Sequence, residues 1–247
     1  MLKATIDAEI FRESIDAIAA LVTECRVHTQ EDMIWTRSVD TANVAMVTLE
    51  LQSTAFTSFS ATGGELGLDV AKLKNILAMI GKGDALTLQL QDNDRKLELS
   101  FGGYRYSLTL LDVNTIRKDP NPPAVNLPGK AVIPGETLNN AIKAASVISD
   151  KIALGIDPES MTFYMEAEGD TDHIKLALSE DELIALNPVK ARSLFSIDYL
   201  KDMGRVMARA EKVEIHLGIN HPVRFVFEIA DGNGRVDYLL APRVEAD

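Results

Sequence analysis

The side chains that could perform metal or nucleophilic chemistry in this 247-residue sequence are few and scattered. Transition metals need histidine and cysteine ligands at short, regular spacings. The four histidines show no such spacing; they are His28, His173, His216 and His221. The single cysteine, Cys25, could act as a nucleophile, but its place at a helix–strand junction favours a small core residue. We therefore expect no metal centre and no cofactor.

Acidic clusters are the second candidate for chemistry. Asp92 and Asp94 could hold a cation, but Asp92-Asn93-Asp94 lies between two alternating segments and is better explained as a hairpin turn. The acidic runs at 157–159 and 179–182 are typical of solvated loops. The sequence has no Walker loop, no GxGxxG and no GxSxG. It therefore favours a protein that is not an enzyme, and an enzyme using acidic residues is the third-ranked interpretation.

Basic residues on the outward faces of four predicted helices could attract phosphate. They are Arg12, Lys72, Lys74, Lys82, Lys143, Lys201, Arg205 and Arg209. Six acidic residues share these faces: Glu9, Glu13, Asp16, Glu136, Asp198 and Asp202. The basic excess is small, but it stands against a net charge of −12 for the whole chain. Each face alone is best explained as an ordinary solvated surface. Four such helices on one surface would attract nucleic acid weakly and without sequence preference.

The elements that carry these residues follow from apolar periodicity. Helices are predicted over Glu9–Val22, Val70–Ile80, Glu136–Ser149 and Ile197–Met207. Alternating segments predict strands over Leu2–Asp7, Thr23–His28, Met33–Val39, Val44–Leu51, Glu65–Leu68, Ala85–Leu90, Lys96–Phe101, Tyr104–Leu111, Ala131–Ile133, Ile152–Ile156, Met161–Glu166, His173–Leu178, Val213–Leu217, Arg224–Ile229 and Arg235–Leu240. Short turns between strands favour antiparallel sheets with two helices on one side of each half. The predicted fold class is α+β.

The two halves of the chain repeat at one offset, 130 − 3 = 127 residues. Lys3, Ala4 and Ile6 recur as Lys130, Ala131 and Ile133, and the same offset aligns residues 86, 88 and 90 with 213, 215 and 217. One offset that serves separated regions indicates a duplicated unit. Four prolines between residues 112 and 129 predict an extended surface connector. The predicted organisation is a first domain over 1–111, a connector over 112–129 and a second domain over 130–247.

Composition limits the class and the compartment. The chain is 46% hydrophobic and 25% charged, as is typical of a soluble globular protein. No apolar run approaches the roughly 18 residues of a membrane span, and the first residues lack the apolar region of a signal peptide. These features predict a cytoplasmic protein. The net charge of −12 by itself argues against nucleic acid as a partner.

Four segments nevertheless carry a resemblance to a known family: SVDTANVAMVTLEL from Ser38, LGLDVAKLKNILAMIGKGDALTL from Leu66, LFSIDYLKDM from Leu194 and YLLAPRVE from Tyr238. Over essentially its whole length, the chain resembles the sliding clamps of the proliferating cell nuclear antigen (PCNA) type, most closely the archaeal ones. The resemblance implies the DNA clamp fold, in which three chains form a pseudo-sixfold ring with helices lining the hole. Tyr104–Leu111 of one subunit would then pair with His173–Leu178 of the next.

The function that the resemblance implies is that of a non-catalytic processivity factor. Such a protein encircles double-stranded DNA and tethers DNA polymerase, nuclease and ligase, and an ATP-driven clamp loader opens its ring. The basic residues named above would face the DNA. The family's partner-peptide pocket corresponds here to Val39, Val44, Met46, Val113, Ile116, Pro222, Leu239, Ala241 and Pro242. The alternative is a protein-interaction scaffold of duplicated α+β domains that does not bind DNA.

Overall fold

The computed structural model of the chain describes residues 1–91 and 95–244. The predicted turn at 92–94, with the two aspartates considered for a cation, lies outside the described residues. The chain divides into two compact units. The first unit comprises Met1–Asn121 together with Glu228–Val236, and the second comprises Pro122–Phe227 together with the residues from Asp237 onwards.

The first unit contains two helices, α1 (Ala8–Ala19) and α2 (Val70–Leu77). Its strands are β1 (Leu2–Asp7), β2 (Glu24–Thr29), β3 (Met33–Val39), β4 (Ala45–Gln52), β5 (Ser58–Ala61), β6 (Gly64–Asp69), β7 (Ala85–Leu90), β8 (Lys96–Phe101) and β9 (Tyr104–Thr109). One sheet has the order β5-β1-β7-β8-β9, and β4, β3, β2 and β6 are neighbours in that order. The pairings are antiparallel, as expected for strands joined by short turns.

The second unit contains α3 (Gly135–Ala145) and α4 (Ile197–Met207). Its strands are β10 (Gly129–Ile133), β11 (Lys151–Asp157), β12 (Thr162–Glu168), β13 (His173–Ser179), β14 (Ala185–Asn187), β15 (Ala191–Ser196), β16 (Val213–Leu217), β17 (Val223–Ile229) and β18 (Gly234–Leu240). One sheet has the order β13-β12-β11-β15, and β14, β10, β16 and β17 are neighbours in that order. The tip of the β17–β18 hairpin, residues 228–236, belongs to the first unit.

The elements of the two units correspond at the offset of the sequence repeat. Adding 127 to the bounds of β6 gives residues 191–196, which are those of β15. Adding it to the first residues of α1 and α2 gives 135 and 197, where α3 and α4 begin. Both units thus follow the order strand–helix–strands–helix–strands.

Two of the helices begin at side-chain caps that the sequence supplies. The carboxylate of Asp7 accepts a hydrogen bond from the Glu9 amide at 2.7 Å, and the carboxylate of Asp69 accepts one from the Lys72 amide at 2.9 Å. Both satisfy main-chain donors that have no partner within the helix. Glu9 also places negative charge at the positive end of α1.

Three predicted helices are too long at their C-terminal ends. The predictions extended to Val22, Ile80 and Ser149, whereas α1, α2 and α3 end at residues 19, 77 and 145. Beyond each end the chain continues in tighter turns with i to i+3 hydrogen bonds, such as Leu21 N to Ile18 O at 3.1 Å. Such turns keep apolar residues near the helical face, so periodicity alone does not separate them from the helix.

The apolar faces of the helices form the core of each unit. Phe11, Ile15 and Ile18 of α1 and Leu73 and Leu77 of α2 are buried in the first unit. In the second unit α3 and α4 bury their apolar faces through Leu138, Ile142, Leu200, Met203 and Met207. None of the helices in the part of the chain that the structure describes has the length and apolarity of a membrane-spanning segment.

Cys25 is a core residue, as the sequence predicted. Its side chain is buried on β2. Burial raises the pKa of the Cys25 thiol to about 12, because the charged thiolate would lose its hydration. The reactive thiolate is therefore scarce at neutral pH, which argues against a nucleophilic role.

Candidate nucleic-acid and peptide interfaces

Arg12 of α1 lies against the C-terminal end of α2. Its Nη2 donates hydrogen bonds to the main-chain carbonyls of Leu77 at 2.9 Å and Ile80 at 2.6 Å. Leu77 is the last residue of α2, and its carbonyl also accepts the Ile80 amide at 3.2 Å. The guanidinium therefore adds a charged donor at the end of the helix and opposes the negative end of the helix dipole. Arg12 thus has a structural task in addition to the nucleic-acid contact predicted for it.

Two other basic residues of the helical faces are paired with carboxylates. Lys74 Nζ lies 3.2 Å from Asp16 Oδ1 in the first unit, and Arg205 Nη1 lies 2.9 Å from Asp202 Oδ1 in the second. The two cationic side chains are more than half exposed. Exposed ion pairs of this kind are worth only about 0.2–1 kcal/mol. A phosphate could therefore replace the exposed Asp202 carboxylate at little cost.

The remaining predicted basic residues differ in exposure. Lys72 lies in α2 and Lys82 follows that helix, and both are exposed. Lys143 lies in α3 and Arg209 follows α4, and both are also exposed. Lys201 of α4 is half-buried. Each unit thus places four of the eight basic residues on or just after its two helices.

The outer strands β9 and β13 each present apolar side chains that nothing within their own sheet covers fully. β9 stands at one end of its sheet and β13 at one end of its sheet. Tyr104, Tyr106 and the buried Leu108 lie two residues apart and therefore share one face of β9. The exposed fractions of the two tyrosines are nevertheless 70% and 39%. On β13, Ile174 and Leu176 are likewise only half-buried beside the buried Leu178. Within the described residues, each of these strands therefore has one edge that no neighbouring strand pairs, and apolar surface flanks that edge.

The loop between β3 and β4 is organised by a buried carboxylate. Asp40 is 6% exposed, and its Oδ1 accepts hydrogen bonds from the amides of Val44 at 2.7 Å and Ala45 at 2.9 Å. Its Oδ2 accepts one from the Ala42 amide at 3.2 Å. Asn43 has a φ of 59°, a left-handed conformation that asparagine tolerates. The loop is therefore a defined turn.

Three side chains fasten the segment 116–119 to the rest of the first unit. Arg26 Nη2 donates to the Ile116 carbonyl at 3.0 Å. Arg117 Nη1 donates to the Asp40 carbonyl at 3.1 Å, and its Nη2 donates to Asn43 Oδ1. His28 Nε2 lies 2.7 Å from Asp119 Oδ2. The start of the connector thus has fixed contacts, which sequence reasoning missed because every contact joins residues far apart in the chain.

The predicted pocket residues fall in both units. In the first unit Val39 and Met46 are opposite each other in the β3–β4 register, and both are half-buried, as are Val44 and Val113. Ile116 is buried. Ile116 is the most enclosed of these five predicted residues. In the second unit the predicted residues are all half-buried: Pro222, Leu239, Ala241 and Pro242.

The chain after β18 is held within the second unit. The Arg243 amide donates to the Leu194 carbonyl at 2.7 Å, and Arg243 Nη1 lies 2.7 Å from Asp150 Oδ2. That hydrogen bond from Arg243 lowers the pKa of Asp150. The predicted pocket residues Ala241 and Pro242 directly precede this anchor.

Comparison with known proteins gives the family. The family model described as "Proliferating cell nuclear antigen, N-terminal domain" matches residues 1–115. A protein of Methanoculleus marisnigri named DNA polymerase sliding clamp is 85% identical over 247 residues, which cover the whole of both chains. This chain belongs to the proliferating cell nuclear antigen family. A protein of the same name from Methanosphaerula palustris is 67% identical, again over the whole of both chains.

Solved PCNA structures agree with the fold described here. The structure of A. fulgidus PCNA bound to the C-terminal region of FEN-1 covers all of both chains with 37% identity and a TM-score of 0.95. PCNA from Thermococcus kodakaraensis covers 98% of this chain and all of its own, with 26% identity and a TM-score of 0.90. The predicted α+β clamp fold and the predicted archaeal PCNA family are therefore confirmed.

Proposed function

We propose that this chain is a DNA sliding clamp, which closes with two further copies into a ring around duplex DNA and tethers DNA polymerase. The observation that carries the proposal is the 85% identity, over the full length of both chains, to a protein named DNA polymerase sliding clamp. The clamp acts in the cytoplasm and catalyses no reaction itself. An ATP-driven clamp loader opens the ring.

The outer strands support the ring. A head-to-tail interface repeats around a closed ring when its rotation fits. Tyr104–Leu111 of one copy pairs with His173–Leu178 of the next, so that main-chain groups at both sheet ends gain partners. The half-covered Tyr106 and the half-buried Leu176 gain apolar cover in the same step.

The helices provide the surface for DNA. The contact residues are Arg12, Lys72, Lys74, Lys82, Lys143, Lys201, Arg205 and Arg209. Contacts to phosphate fix position without reading sequence, which suits sliding. Because Lys74 and Arg205 already have carboxylate partners, the attraction is weak. Retention on DNA then comes from encirclement, which needs little affinity.

Partner proteins bind through short peptides. A. fulgidus PCNA was solved with the C-terminal region of FEN-1, and we propose that polymerase, clamp loader, nuclease and ligase use the same kind of contact here. The pocket residues are Val39, Val44, Met46, Val113, Ile116, Pro222, Leu239, Ala241 and Pro242. The domain boundaries that go with this function are 1–111, 112–129 for the connector and 130–247.

Primer extension on a primed circular template tests the proposal against the scaffold alternative. Polymerase is allowed one binding event, with excess competitor DNA present. A clamp lengthens the products in the presence of loader and ATP, whereas a scaffold that does not encircle DNA leaves their length unchanged.

Replacing Met46 tests the pocket. Met46→Ser should abolish polymerase stimulation, because the side chain is half-buried in the proposed peptide site. Met79→Ser is the matched control, since Met79 is 59% exposed after α2, outside that site. Unchanged stimulation by Met46→Ser, with both variants still assembled, would refute the pocket.

A further inference from the structure

Arg117 is a side chain of the connector that bonds the loop between β3 and β4. Its guanidinium donates to the Asp40 carbonyl at 3.1 Å and to the Asn43 side-chain amide oxygen. Pocket residues lie on both sides of this bridge in sequence: Val39 and Val44 flank the loop, and Ile116 precedes Arg117. The bridge therefore ties the connector to the loop in the first unit.

The charge of Arg117 is not cancelled by the groups it bonds. A main-chain carbonyl and a side-chain amide carry no formal charge. The nearby Asp40 carboxylate is buried and accepts hydrogen bonds from three main-chain amides of the loop. Arg117 itself is exposed, and the exposed Lys118 follows it. Two adjacent exposed cations thus stand at the pocket in a chain whose net charge is −12.

Asp119, the acidic residue that follows Arg117 and Lys118, makes its hydrogen bond with another residue. Asp119 is directed to His28, with 2.7 Å between Oδ2 and Nε2. A guanidinium that retains exposed N–H groups is well suited to carboxylates, which it binds through short, charge-assisted hydrogen bonds.

We propose that Arg117 is a specificity-determining residue of the peptide pocket and favours partner segments that carry acidic side chains beside their apolar anchors. This inference rests on the pocket in the proposed function. Arg117 acts in two ways. Its hydrogen bonds hold the connector to the loop, and its charge attracts a carboxylate of the bound peptide. The adjacent, exposed Lys118 adds to the local potential.

Two fluorescein-labelled ten-residue peptides test this directly. Both carry the same leucine and two aromatic anchors, and they differ in two flanking positions, which are glutamates in one and glutamines in the other. Anisotropy titrations against the assembled protein at low salt should give about three- to fivefold tighter binding of the glutamate peptide, the range of an exposed charge pair. The preference should shrink at 0.5 M NaCl, because salt screens exposed charges.

Variants separate the charge from the bridge. Arg117→Gln should bring the ratio of the two affinities close to one, whereas Lys118→Gln, a matched loss of one charge, should keep most of the preference. Arg117→Lys should retain the preference but weaken both peptides, because an ammonium cannot bridge the two acceptors in the same way. Circular dichroism melts check that the variants fold alike.

The outcomes distinguish this inference from the pocket itself. Equal binding of both peptides by the wild-type protein, or a preference that survives Arg117→Gln, overturns the inference and leaves the pocket intact. If neither peptide binds the wild-type protein, the pocket and the inference fail together.

Discussion

Arg12 Nη2 donates a hydrogen bond to the Leu77 carbonyl at 2.9 Å, which joins the first helix of the first unit to the end of its second helix. The repeat offset of 127 places Asn139 and Gly204 at the equivalent positions of the second unit. With its amide oriented to match its neighbours, Asn139 donates to the Gly204 carbonyl at 3.3 Å. In the two units, different side chains thus donate hydrogen bonds to carbonyls at equivalent positions.

Removing the Arg12 bridge should destabilise the first unit. Arg12→Ala leaves carbonyls at the end of α2 without their charged donor, so we expect a loss of about 2 kcal/mol in the free energy of unfolding, the range for hydrogen bonds to charged groups. Arg12→Lys should recover only part of that loss, because one ammonium replaces a fork of donors. Urea unfolding measures both. Lys72→Ala, an exposed residue on α2, is the control, and an equal effect of the two alanine variants would show that Arg12 is merely a surface cation.

The second unit depends on close helix packing at Gly135. A Cβ added there would lie 1.8 Å from the Met207 carbonyl oxygen, which belongs to the main chain of α4 and has little freedom to move. Gly135→Ala should therefore cost about 3 kcal/mol, at the upper end of overpacking effects. Gly64→Ala adds a Cβ that meets only a Thr29 hydroxyl at 3.7 Å and serves as control. Thermal or urea unfolding would contradict the packing argument if both variants were equally stable.

His216 should make stability depend on pH. Burial lowers the pKa of His216, although the Glu214 carboxylate 3.2 Å away opposes the shift. A histidine whose pKa is lowered in the folded state contributes its full stability above its unfolded-state pKa, near 6.5. That contribution is lost as the pH falls through the folded-state pKa. Urea midpoints of the wild type and of His216→Gln should therefore converge as pH falls from 7.5 to 5. Parallel curves for the two proteins would contradict this.

The exposed tyrosines of β9 should be essential for assembly. Tyr106→Glu places a charge on the apolar side of the strand, where the proposed neighbouring subunit would bury it at a high desolvation cost. For this variant we expect light scattering to give the mass of a single 27.0 kDa chain, whereas the wild-type protein should give three times that mass. Ser107→Glu, on the other face of the same strand, should assemble. A trimer of the Tyr106 variant would place the interface elsewhere.

The sequence predicted the strongly periodic elements most closely. The bounds of β1, β3, β7, β8, β16 and α4 agree with the prediction. Three strands were missed: β5, β14 and β15. β5 is short and rich in serine, and β14 has only three residues. β15 buries Ser193 between Ala191 and Phe195, and this polar residue breaks the apolar alternation.

The site was less predictable than the fold. Helical periodicity identified the outward basic residues, but the contacts of Arg12 with α2 join residues more than sixty positions apart. The same holds for Arg117, which reaches Asp40 across 77 positions. An aspartate before a turn-like stretch could have suggested the role of Asp40 as a loop cap. The sequence does not indicate which arginine donates hydrogen bonds to that loop, because only the tertiary structure brings Arg117 next to it.

Retention on closed circular DNA tests the central claim, encirclement, most directly. Labelled protein is loaded onto a nicked plasmid with loader and ATP, separated from free protein by gel filtration, and the plasmid is then cut once with a restriction enzyme. A sliding clamp stays with the closed circle and leaves the linear DNA within the time of the column. Equal retention on circular and linear DNA, or none on either, would contradict encirclement.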